Sequence, residues 1–134
     1  MKLSVLMIVN SIVAAVFGLG FILVPGQVNS LYGPEVGPAL NYVAQLFGAA
    51  LLAFAVLTWA ARNVLDSEAR RAILLALFVG DGVGFVVALI GQLGGVMNAL
   101  GWSTVVIYLL LAIGFGYFRF MAKPDAGATT SQVM

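Results

Sequence analysis

The chain contains no cysteine and no histidine. Without cysteine there is no disulfide, no thiolate metal site, no redox-active dithiol and no sulfur nucleophile. Without histidine the commonest metal and haem ligand is missing, and so is the commonest general base. Charge is scarce as well: 8% of the 134 residues are charged, six basic and five acidic, for a net charge of +1. A nucleic-acid footprint needs a basic patch or stripe, so nucleic acid is excluded as a partner. What remains is apolar, with 63% hydrophobic residues and a mean hydropathy of +1.12. A soluble domain is roughly half apolar and about a quarter charged. The composition therefore specifies an integral membrane protein with the bilayer as its first partner, and one domain by length.

A spanning helix needs about 20 mainly apolar residues. Four stretches qualify, over about 3–24, 39–61, 67–91 and 101–120. The first is read as a retained helix, because its apolar run exceeds that of a signal peptide. It ends at Pro25-Gly26, and Pro38 suits the first turn of the second span. Asp66 or Ser67 is an N-cap for the third, with Glu68 in its first turn. Residues 27–31 have room for a short interfacial turn but not for an amphipathic membrane helix. The expected architecture is an all-α, antiparallel four-helix bundle over residues 1–124, with a polar tail over 125–134.

Orientation follows from the basic residues. Lys2, Arg62, Arg70, Arg71, Arg119 and Lys123 all fall on one side of this layout, while the connection from Pro25 to Pro38 carries only Glu35. The positive-inside rule makes the basic side cytoplasmic, with both termini there, in the cell membrane. Tyr32, Tyr42 and Trp102 are expected as outer interface anchors. Trp59 and the Tyr117–Phe120 cluster are expected as inner ones.

Lipid gives apolar side chains little reason to associate, so helices pack through small residues and interhelical hydrogen bonds. Each span carries a small pair four apart: Ala14 and Gly18, Ala44 and Gly48, Gly80 and Gly84, Ala112 and Gly116. Gly80, Gly84 and Ala88 make one groove, which predicts that the third span is the most enclosed. Such seams serve the bundle itself or a partner chain. An internal echo links the first and third span ends. Asn29-Ser30-Leu31-Tyr32-Gly33 parallels Asn98-Ala99-Leu100-Gly101, as a duplicated hairpin would.

Asp81 is the one ionisable residue deep in a span, about 13 Å in from Ala72 at about 1.5 Å per residue. Such residues are costly in lipid and mark a candidate functional site. Asn10 is expected at similar depth, with Gln45 and Tyr108 further out. One reading makes Asp81 a protonated carboxyl bonded to Asn10 or to a carbonyl, tying helices together. Another puts it on a proton- or cation-coupled path. A third has it meet a pigment, a quinone or a partner subunit. Metal ligands and nucleophile–base pairs cannot be assembled, so no cofactor and no enzymatic activity are expected.

Pro25-Gly26, Leu31-Tyr32-Gly33, the run Leu46-Phe47-Gly48-Ala49-Ala50-Leu51-Leu52 and Trp59-Ala60-Ala61-Arg62 together resemble small bacterial four-helix membrane proteins of the DoxX-like group. Some members of that group are membrane subunits of quinone-linked oxidoreductases. The resemblance implies the same four-helix layout and an accessory place beside a larger assembly, and it carries over no catalytic residue. The resulting expectation is a non-enzymatic accessory or scaffold subunit, packing against a membrane complex or copies of itself. The rival is a small transporter or channel with its path at Asp81.

Overall fold

A computed structural model describes residues 2–33 and 35–122, and the expected tail over 125–134 lies outside the described residues. Within them the chain is all-helical: α1 (Leu3–Leu23), α2 (Pro25–Tyr32), α3 (Pro38–Ala61), α4 (Glu68–Leu93) and α5 (Gly101–Gly116), the last running into a widened turn over Tyr117–Met121. Four helices, counting α5 with that turn, are long and apolar enough to cross a membrane. The protein is a multi-pass membrane protein.

The helix ends follow local chemistry. Ser67 caps α4, its Oγ accepting the Arg70 amide at 3.1 Å, and Glu68 occupies the first turn. Pro38 begins α3 at a position where its missing N–H costs nothing. Pro25 does the same for α2, where the sequence had predicted a stop. The chain breaks only at Val24 and then continues for eight helical residues. This helix is held by its neighbours. Buried Asn29 donates to Asn41 Oδ1 of α3 at 3.2 Å.

Two antiparallel hairpins organise the chain. In the first, α1 lies along α3, and the helices touch backbone to backbone where Gly18 meets Gly48. A Cβ on Gly48 would sit 2.7 Å from the Gly18 carbonyl oxygen, and one on Gly18 3.0 Å from that of Gly48. Flanking Ala14 and Ala44 are buried. Nearer the chain's N-terminus, Ser11 Oγ donates to the Ala55 carbonyl at 2.8 Å and Asn10 Nδ2 to Thr58 Oγ1 at 3.4 Å. Both satisfy polar groups that hydrocarbon would leave unpaired. In the second hairpin α4 lies along α5. Here glycines receive rings: the Tyr108 ring covers Gly84, and Phe78 lies where a Cβ on Gly116 would come within 2.9 Å. Ala112 is buried.

The hairpins meet at two places. At the end bearing the basic residues, Leu6 and Met7 of α1, Ala61 of α3, Leu74 and Leu77 of α4, and Leu111 and Phe115 of α5 form one core. At the opposite end Asn98 clips the second hairpin to the first. Its amide N–H donates to the Tyr32 carbonyl at 2.8 Å and its Nδ2 to that of Leu31 at 2.9 Å. Gly33 turns there at φ +90°, with Asn98 so close that a side chain would be both strained and crowded. The two segments of the internal echo therefore touch.

The expectation that the third span is the most enclosed is corrected: α4 is the least buried of the four, and α1 the most. Of the α4 groove, Gly84 receives a ring, whereas Gly80 is exposed with nothing within 4 Å of a Cβ, and Ala88 is half-buried. A stripe of small residues marks where a neighbour can approach, not that one does.

Candidate functional site

Between its two joints, the gap separating the hairpins is a cavity of about 540 Å³ lined from α1 to α5. That is the size of a small-molecule site, roughly 300–1,000 Å³. Its walls are Phe17 and Phe21 of α1, Phe47 and Phe54 of α3, Leu77 of α4, and Ile107 and Leu111 of α5, among others. The core beneath it is tightly filled, with Met7, Leu74 and Phe115 at 1%, 2% and 0% exposure. Asn29 and Tyr32 of α2 and Met97 of the last connection line it towards the Asn98 clip. Between these joints the two hairpins approach each other little.

Few polar groups reach this space. Asn10, Asp81 and Tyr108, singled out by depth from the sequence, all line it, joined by Thr104, Asn29 and Tyr32. Asp81 lies on the inner face of α4 one turn before Gly84, where the Tyr108 ring rests, so carboxyl and phenol share one wall. Gln45, the fourth expected member, is elsewhere. With Ala44 and Gly48 turned to α1, Gln45 is exposed and donates to the Ile22 carbonyl at 3.2 Å. Tyr32, expected as an outer anchor, is half-buried in the cavity wall, whereas Tyr42, Trp59 and Trp102 are exposed.

Among the described hydrogen bonds Asn10 gives one amide hydrogen to Thr58 within the first hairpin, and Asp81 Oδ2 is buried with no hydrogen-bond partner. An unpaired buried oxygen is expensive, and one that faces a cavity is available to whatever enters. Asn29 likewise gives one amide hydrogen to Asn41. Neither the phenylalanine lining nor Thr104 was legible beforehand, since both depend on how far apart the hairpins stand. No lysine or arginine lines the cavity among the described residues.

Comparison with family models, with curated proteins and with solved structures finds no match.

Proposed function

We propose that this is a non-enzymatic protein of the cytoplasmic membrane that holds an apolar small molecule between its two hairpins. It serves as an accessory subunit beside a larger membrane complex or copies of itself. The supporting observation is the cavity: about 540 Å³, almost wholly apolar, with a few polar groups along it. This is the usual make-up of a ligand pocket. Partner packing is supported by α4, whose Gly82 and Gly91 lie outside the cavity lining and meet nothing within 4 Å of a Cβ. The architecture in this reading is an antiparallel four-helix bundle with both termini cytoplasmic, and the DoxX-like resemblance belongs to the same proposal.

The second reading, a cation-coupled path through Asp81, draws on its unpartnered oxygen. The apolar lining and the filled core at Met7, Leu74 and Phe115 weigh against a continuous water path. Binding is the better-supported role.

Orientation is tested with single cysteines at Ser30, in α2, and Asn63, after α3, both exposed. An impermeant maleimide applied to intact cells should label Ser30→Cys and spare Asn63→Cys. Equal labelling of the two would remove the four-span topology. Occupancy is tested with an apolar carbene photoprobe in bilayers. It should label both the lipid-facing Val83 and Val87 and the cavity-lining Thr104 and Tyr108. Gly80 also lines the cavity, and Gly80→Leu, which puts a bulky side chain there, should abolish only the second pair. Unchanged labelling of Thr104 and Tyr108 in that variant would count against the cavity as a site.

A further inference from the structure

We infer that the molecule held between the hairpins is a lipophilic cation, an amine or similar group on an apolar body, with its charge seated at Asp81. This rests on the cavity reading above and specifies the ligand's chemistry. Three observations converge. Asp81 Oδ2 is buried without a partner, and no basic side chain lines the cavity. The basic residues among those described, Lys2, Arg62, Arg70, Arg71 and Arg119, lie at the ends of the spans rather than at this depth. The only counter-charge that could pair with this carboxyl in its ionised form at this depth is one brought by the ligand.

Among the remaining polar groups, Asn10 and Asn29 each commit one amide hydrogen to α3 and keep a carbonyl oxygen, which can accept from an ammonium, beside a second N–H. The walls supply Phe17, Phe54 and Tyr108, whose ring faces attract a cation and whose bulk takes its apolar body. In a site shielded from water, attraction between opposite charges is many times what it is in bulk solvent. The site therefore discriminates by sign of charge, and apolar bulk alone does not suffice.

The test uses two ions of nearly the same size and shape, tetraphenylphosphonium and tetraphenylborate. Binding of each radiolabelled ion to the full chain in dodecyl maltoside is measured by equilibrium dialysis against empty micelles. The phosphonium should be retained near one per chain and bind at least about tenfold more tightly than the borate. Asp81→Asn should weaken the phosphonium at least about tenfold with an unchanged size-exclusion profile, since no partner of Oδ2 is lost. Asp81→Glu should keep the preference, and Gly80→Leu should remove binding of both ions.

Equal binding of the two ions, abolished by Gly80→Leu, would leave the cavity as an apolar site and overturn the cation. No retention of either ion above micelles would overturn both readings. Unaltered phosphonium affinity in Asp81→Asn would overturn the role of the carboxyl. Should the Asn variant fail to assemble, the sign preference of the wild type still decides.

Discussion

Gly48→Leu is expected to prevent the first hairpin from closing, with loss of the monodisperse protein peak after detergent extraction. The reason is geometric. At this crossing a Cβ on Gly48 would sit 2.7 Å from the Gly18 carbonyl oxygen and 2.9 Å from Ile22. Side chains can rotate away from an added methyl, but a helix backbone cannot. The helices would have to separate, and Ser11 would then lose its bond to Ala55. Overpacking commonly costs about 1–3 kcal/mol even where side chains yield. With backbone as the obstacle, at least about 3 kcal/mol is expected. Gly80→Ala is the matched control, because nothing lies within 4 Å of a Cβ there. It should assemble normally, with thermal stability in detergent equal to wild type or higher, as alanine is the better helix former. Equal stability of Gly48→Leu and Gly80→Ala would mean that the α1–α3 crossing is not where the structure places it.

The second large effect is expected from Phe115→Ala. Phe115 is fully enclosed, in a core with Leu6 and Met7 of one hairpin and Leu74, Leu77 and Leu111 of the other. In water such a truncation costs about 3–5 kcal/mol through lost transfer and an unfilled hole. In lipid the transfer part largely vanishes, and the lost dispersion contacts remain. About 2–3 kcal/mol is therefore expected. More telling is where the damage appears. Phe115 belongs to the joint between hairpins, so each hairpin should persist while their relative position loosens. Limited proteolysis in detergent should then cut the Arg62–Arg71 connection faster than in wild type. Unchanged cleavage and unchanged melting would mean that this joint carries little.

These two sites differ in how far the sequence announced them. Ala44 and Gly48, and Ala14 and Gly18, were legible as approach points, because small residues four apart open a helix face. Gly80 carries the same spacing and meets nothing, because spacing describes one helix and approach requires two. Span limits were readable within two residues, since a hydrophobic run ends where polar residues or proline begin. Helix α2 was not, as Pro25 reads equally as the end of one helix and the start of the next. Gln27, Asn29 and Ser30 also leave it no apolar period. Depth counting brought Asn10, Asp81 and Tyr108 to one cavity. It failed for Gln45, because depth says nothing of rotation about the helix axis, which Ala44 and Gly48 set. The phenylalanine walls were hidden for the same reason: in a membrane helix a ring facing lipid and a ring facing a cavity look alike.

The cavity between the hairpins is the centre of this account, and its content in the purified protein tests it most directly. Wild type and Gly80→Leu would be extracted side by side in mild detergent, matched by size exclusion, and their bound small molecules quantified by mass spectrometry after organic extraction. The account predicts one apolar species near one per chain in the wild type and its loss from Gly80→Leu at equal thermal stability. The same species at the same stoichiometry in both proteins would place it on the outer, lipid-facing surface and contradict the cavity as a binding site.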